Sequence, residues 1–218
     1  MKVAVIDFGS GNLKSVYRSL EEASYDKNNI KIIVTNKSKI IKSADRIILP
    51  GVGTFTDCKQ GLELIPNLID TLHESVLLRK RPFLGICVGM QLMATYGTEN
   101  KQVQGFDWVP GKVIGINPNP RHQSNGQKIK IPHMGWNKIL FDKTHPILNG
   151  LAKESYFYFV HSYHFKCDSQ NAVLATVNYN EKLAALVGAN NFLGTQFHPE
   201  KSQAIGIKFL SNFLEWDP

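Results

Sequence analysis

The chain has 218 residues, 43% of them hydrophobic and 20% charged, values of a folded globular chain rather than a disordered or fibrous one. No apolar run approaches the length of a membrane-spanning helix, and Val3-Ala4-Val5-Ile6 after Met1 is too short for the apolar part of a signal peptide, so neither a membrane nor an export route is expected. The formal charge of +7 comes from scattered lysines, among them Lys27, Lys31, Lys37, Lys39, Lys42, Lys128 and Lys130, without interleaved aromatics, which argues against nucleic acid as a partner.

Along the first half, short apolar runs alternate with amphipathic stretches, the pattern of a mostly parallel sheet flanked by helices. Residues 2–7 are strand-like, 13–23 have helical spacing, 30–35 and 46–49 are strand-like again, and 62–78 carry helix-period leucines and isoleucines broken or kinked at Pro66. A strand over 83–86 leads into a helix over about 89–96. The second half is richer in short strands, over 113–116, 129–131, 156–160, 172–177, 184–187 and 192–197, a mixture that predicts antiparallel additions to the sheet. Residues 117–127 read as an exposed polar loop, and 205–214 as a closing amphipathic helix. With no internal repeat or low-complexity tract, residues 1–218 are expected to form a single α/β domain.

Three cysteines at wide spacing, Cys58, Cys87 and Cys167, suit neither a disulfide framework nor a CxxC metal site, so a reducing cytoplasm is expected. Cys58 and Cys167 read as small buried apolar groups. Cys87 differs because Gly85-Ile86-Cys87-Val88-Gly89 stands between a strand and a helix. That is a nucleophile elbow with Cys in place of Ser, where tight packing leaves room only for glycine two residues either side. A helix N-terminus there favours the thiolate.

The run of residues 192–197 ends in His198-Pro199-Glu200. Residues two apart around a proline share one side of an extended turn, so Glu200 can bond one imidazole nitrogen while the other faces a nucleophile. A strand-end His beside a strand-end Cys, at the carboxyl edge of one sheet, is where open α/β sheets place their sites. His73, His122 and His145 read as surface residues. His161 and His164, spaced to face opposite sides of a strand, lack a third ligand for zinc, and no metal or cofactor is expected. Gly9-Ser10-Gly11 lacks the third glycine of a dinucleotide loop, Lys14 standing in its place.

Gly85 to Gln91, with Phe197-His198-Pro199-Glu200 about 110 residues later, resembles the class I (triad) glutamine amidotransferases, which share the order Cys, then His-x-Glu. Further stretches spread over the chain are similar to those members that serve a cyclase: Asp7-Phe8-Gly9-Ser10-Gly11-Asn12-Leu13, Pro50-Gly51-Val52-Gly53, Pro132-His133-Met134-Gly135-Trp136-Asn137, Tyr158-Phe159-Val160-His161-Ser162-Tyr163 and His198-Pro199-Glu200-Lys201-Ser202. A longer basic loop at 117–130 and Leu183-Ala184-Ala185, where an aromatic is more usual, depart from the pattern.

The resemblance implies a flavodoxin-like sheet and a glutaminase in which Cys87 attacks the amide of L-glutamine, His198 shuttles the proton and Glu200 orients the imidazole. It implies an oxyanion hole from the N–H of Val88 and the loop peptides of Val52 and Gly53. It places glutamine against Gly51, Gly53, Gln91, Ser162 and Tyr163. The implied partner is a (β/α)₈-barrel cyclase subunit in a heterodimer that receives the ammonia in histidine biosynthesis, with Met134 and Trp136, in a Gly-containing loop after a short strand, as interface candidates or, for Trp136, ordinary core. The rivals are a paralogue feeding a cyclase-like protein in amino- or amidino-sugar synthesis, a stand-alone γ-glutamyl cysteine hydrolase, and a binding module without catalysis.

Overall fold

The computed structural model describes residues 1–119 and 129–218. Strand β1 (Lys2–Ile6) carries four successive fully buried residues, Val3 to Ile6, the unbroken apolar run of a parallel strand covered on both faces. Helix α1 (Leu13–Ala23) buries Val16, Ser19, Leu20 and Ala23, one stripe at helical spacing, and leads to β2 (Lys31–Thr35). The single-turn helix α2 (Ser38–Lys42), which buries only Ile41, is too short to show a periodic stripe and escapes the sequence reading. Strand β3 (Arg46–Gly51) is buried throughout.

Helices α3 (Phe55–Glu63) and α4 (Leu68–His73), the latter running on as a π-helical turn over Glu74–Leu78, replace the one expected helix of 62–78. The break falls around Pro66 as expected, but the first segment starts earlier, where the Thr54 side chain accepts a hydrogen bond from the Asp57 N–H at 3.0 Å.

After β4 (Phe83–Cys87), helix α5 (Val88–Gln91) makes only one turn instead of the expected run to 96. The carbonyls of Leu92, Met93 and Ala94 accept from the N–H groups of Phe106, Trp108 and Asp107, so they are taken from a continuing helix by the chain that crosses over them. Three strands follow, β5 (Tyr96–Gly97), β6 (Val103–Gln104) and β7 (Gly111–Gly115).

Residues 117–119 form no regular element, and the remainder of the expected loop, with His122 and Lys128, lies outside the described residues. The expected strand of 129–131 does not form. The Ile129 N–H bonds the Pro118 carbonyl and the Lys130 carbonyl accepts from the Tyr179 hydroxyl, which takes both from any ladder. Instead β8 (His133–Phe141) starts after Pro132, so Met134 and Trp136 stand on a strand and not in a loop.

The chain closes with β9 (Tyr156–His161), β10 (Tyr163–Cys167), β11 (Val173–Tyr179), β12 (Glu181–Ala189), β13 (Phe192–Thr195) and helix α6 (Gln203–Glu215). Leu183, Ala184 and Ala185 are buried in β12.

Among the described residues the strands form two sheets, β2-β1-β3-β4-β13-β12-β11-β8-β9 and β10-β7-β5-β6. From β2 to β13 the large sheet is parallel, and from β13 to β9 antiparallel. The antiparallel additions are therefore as expected, whereas the separate small sheet is not. No helix of the described residues is long and apolar enough to cross a membrane.

Candidate active site

Cys87 ends β4 with φ +55°, a left-handed conformation that costs a non-glycine residue energy and lifts its side chain at the strand-to-helix turn. The turn is possible because its flanking residues lack side chains. A Cβ on Gly85 would lie 2.5 Å from the Gly89 carbonyl oxygen, and one on Gly89 would lie 1.9 Å from that of Leu49. Helix α5 is one turn long, so its dipole is small, and the positive charge beside the sulfur has to come from elsewhere.

That charge is on His198. Strand β13 is the parallel neighbour of β4, pairing Gly194 with Gly85 and Thr195 with Ile86, so the residues just past its end stand beside Cys87. The backbone there is tied on all sides: the His198 N–H donates to the Tyr158 carbonyl at 2.9 Å, the Ser202 hydroxyl donates to the His198 carbonyl at 2.6 Å, and the Tyr158 N–H donates to the Ser202 oxygen at 3.0 Å. Below lie the packed rings of Phe157, Phe197 and Phe209.

The imidazole Nδ1 and a Glu200 carboxylate oxygen are 2.7 Å apart, with both side chains 1% exposed. Burial by itself would lower the His198 pKa. The negative charge of a Cys87 thiolate, with Glu200 behind the ring, outweighs it and raises the value to about 10. Nε2, the nitrogen left free by Glu200, has no hydrogen-bond partner of ordinary geometry among the described residues.

A cavity of about 610 Å³ opens over this pair, large enough for an amino acid. Of the residues singled out in the sequence, Cys87, Val88, His198, Val52, Gly53, Gln91, Ser162 and Tyr163 line it. Glu200 sits behind His198. Gly51 does not line it: it ends β3 opposite Cys87, and a Cβ there would come within 2.8 Å of the Gly89 nitrogen, so it accommodates the elbow. In the neighbouring loop Gly53 has φ +104°, and the Val52 carbonyl is held by the Ser10 hydroxyl and, at 3.4 Å, by the Cys58 thiol.

Residues that sequence reasoning passed over also belong here. Gln196, fully buried, donates from Nε2 to the Cys87 sulfur at 3.7 Å and accepts on Oε1 from Gln91 at 3.0 Å. Its position two residues before His198 was the available signal. His161 lines the cavity wall and is hydrogen-bonded to His133. Burial pushes the Cys58 and Cys167 thiols up to about 12, leaving them inert; Cys58 is fully buried, Cys167 partly so.

The surface reading of two histidines is corrected. His73 is half-buried edge-on to Phe106 and Trp108, and His145 accepts from the Ile147 N–H at 3.2 Å beside Trp216. Both fill seams under short connections, which their neighbours in sequence do not reveal. Met134 and Trp136 are 62% and 46% exposed, so Trp136 is not core. They share one face of the β8–β9 ladder with Tyr156, itself 56% exposed, because Trp136 pairs with Tyr158 and Lys138 with Tyr156.

The arrangement is that of a cysteine nucleophile, a buried imidazole acid–base and an orienting carboxylate opening on a pocket of amino-acid size. The family model for class-I glutamine amidotransferases matches residues 4–216. The chain is 46% identical, over 220 aligned residues, to the imidazole glycerol phosphate synthase subunit HisH of Rhodospirillum rubrum, and 43% identical to that of Brucella melitensis biotype 1; each alignment covers 100% of both chains. Among solved structures it is similar in fold to a glutamine amidotransferase at TM-score 0.69 with 17% identity, covering 98% of this chain and 97% of that one. It is similar also to one from Thermotoga maritima at TM-score 0.61 with 14% identity, covering 99% and 83%. With its sheet, its strand-end Cys and His and its near-complete match to the family, the chain belongs to the class-I glutamine amidotransferases.

Proposed function

We propose that this chain is the glutaminase subunit of an imidazole glycerol phosphate synthase. It hydrolyses L-glutamine at Cys87 and passes the ammonia to a (β/α)₈-barrel cyclase subunit in histidine biosynthesis. The observation that carries the chemistry is the buried His198–Glu200 pair at 2.7 Å on the strand next to the Cys87 elbow. Identity of 46% and 43% to two HisH subunits, over the full length of each, supports the choice of pathway.

The Cys87 thiolate adds to the side-chain carbonyl carbon of glutamine, and the electron pair of that carbonyl moves onto oxygen. The N–H of Val88 and a peptide N–H of the Val52–Gly53 loop receive the oxyanion. The intermediate collapses as protonated His198 gives its proton to the amide nitrogen, which leaves as ammonia and a γ-glutamyl thioester. Neutral His198 then takes a proton from water as its oxygen adds to the thioester carbon, and glutamate departs with the thiolate restored. Throughout, Glu200 holds the imidazole by Nδ1 so that Nε2 faces the sulfur. Ser162, Tyr163 and Gln91 hold the amino-acid end of the substrate.

The exposed apolar face of Met134, Trp136 and Tyr156 supports a partner-bound subunit over a stand-alone hydrolase, since it offers aromatic anchors to a second surface. The three free thiols support a reducing, cytoplasmic setting. The test is glutamate release from glutamine by the chain alone, then with the cyclase and its ligand. Release that rises on adding the liganded cyclase supports the reading. Full release by the isolated chain, unchanged by the cyclase, would leave the stand-alone hydrolase in its place.

A further inference from the structure

Opposite the Cys87 wall, polar side chains run from β8 to the pocket with every intervening proton accounted for. The Asn137 amide nitrogen donates to the Asn178 carbonyl and to His133 Nε2, each at 3.3 Å, while its oxygen accepts from the Lys138 N–H at 2.8 Å. His133 Nδ1 lies 2.9 Å from His161 Nε2, and His161 Nδ1 lies 2.9 Å from the Tyr163 carbonyl. That carbonyl also accepts from Gln91 Nε2 at 3.0 Å, whose second proton goes to Gln196 Oε1, and Gln196 reaches the Cys87 sulfur.

The direction of this chain is forced. A carbonyl oxygen only accepts, so His161 carries its proton on Nδ1. Its Nε2 must then accept, so His133 donates from Nδ1 and accepts on Nε2 from Asn137. Burial lowers the pKa of His133 to about 4 and that of His161 to about 3, so at neutral pH neither ring holds the second proton that would break the sequence. The His133 ring is held between Phe159 and Tyr179, with centroids 4.7 and 3.9 Å away, which fixes its plane. Reversing either tautomer would set two N–H groups or two lone pairs against each other in a buried place.

We infer that Asn137, His133 and His161 are positioning residues for the glutaminase reaction: as a one-way hydrogen-bond chain they fix the Tyr163 carbonyl, and through it the Gln91 amide, against which glutamine is seated. This rests on the glutaminase reading. None of the three acts on the reacting atoms. Their effect falls on how well the pocket is formed, so it appears in KM more than in kcat. The chain begins on the strand whose outer face carries Met134 and Trp136, two residues that alternate with His133 across the sheet.

The test joins two measurements on the complex with the cyclase. His133→Phe keeps the stacking between Phe159 and Tyr179 but removes the donor to His161. It is expected to raise KM for glutamine about tenfold with kcat changed less than about twofold, because a buried acceptor is left unpaired. His161→Asn, whose amide can still reach the Tyr163 carbonyl, is expected to raise KM less. Turnover of the cyclase on supplied ammonia stays at the wild-type level in both, which separates positioning from misfolding. Nitrogen-15 NMR of the wild-type protein is expected to find both rings as Nδ1–H tautomers, a reading that does not require any variant to fold. An Nε2–H tautomer in either ring, or an unchanged KM in His133→Phe, overturns the inference. A wild-type complex that neither binds glutamine nor releases glutamate would instead sink the glutaminase reading.

Discussion

Two buried histidines, His198 and His161, line one pocket, His133 stands behind His161, and burial and neighbours shift their pKa values in opposite directions. His198 is raised to about 10, whereas His133 and His161 fall to about 4 and 3. Burial opposes charge on all three rings, so burial does not distinguish them. The difference lies in the company each ring keeps. His198 lies between the Glu200 carboxylate and the Cys87 sulfur, which favour the imidazolium, while the hydrogen-bond partners of His133 and His161 are an amide, a carbonyl and each other. The first arrangement stores a proton for a leaving group. The second holds still, and a ring that titrated near neutral pH would serve it badly.

The contrast is broken most severely at the sulfur. Cys87→Ala is expected to cut glutamine-dependent turnover by about 10⁴-fold or more while the complex still uses supplied ammonia. Residual glutamine turnover near the wild-type rate would show that the nucleophile is elsewhere.

Glu200→Gln comes next. It keeps the shape but removes the carboxylate that orients the ring, and kcat is expected to fall about 10³-fold. A loss below tenfold would mean that Glu200 does not set the imidazole's orientation.

The proton itself gives the third test. Because the folded-state pKa of His198 lies above its unfolded value, the protonated ring stabilises the fold fully below the unfolded pKa of about 6.5. That stabilisation is lost as pH rises through about 10. Cys87→Ser removes the thiolate, the strongest raising influence, so the variant should titrate His198 lower and lose less stability over this range. Histidine NMR and thermal midpoints against pH check both, and an unmoved His198 in the variant would mean that the sulfur is not its charged partner. His133 and His161 should remain neutral in the variant.

The smallest effect on the catalytic chemistry is expected from the exposed face. Trp136→Ala should weaken binding of the cyclase by about 2 kcal/mol, as for an aromatic interface anchor, and leave the titration of all three rings unchanged. Calorimetric affinity unaltered by the substitution would remove Trp136 from the interface.

How much of this was legible in the sequence depends on the range of the interactions involved. The elbow could be read because Gly85 and Gly89 are required by atoms only a few residues away or on the adjoining strand. The His198-Pro199-Glu200 turn could be read because its hydrogen bond spans two residues. The helix after the elbow is shorter than the sequence predicts because its following carbonyls are claimed by residues 106–108, a contact with no local signature. Met134 and Trp136 read locally as a loop because a glycine stands between them, although β8 continues through Gly135 by pairing with Phe159. The partner of His161 has no local signature: the antiparallel register that places His133 opposite it joins positions 28 residues apart.

By itself the sequence determined the alternation of strands and helices, the strained turn at Cys87 and the presence of an imidazole–carboxylate pair, since backbone sterics and short-range hydrogen bonds act within a few residues. Only the tertiary structure decided which histidine is charged and which are neutral. Charge in a buried site depends on what lies across the pocket, and the sheet brings those groups together from opposite ends of the chain.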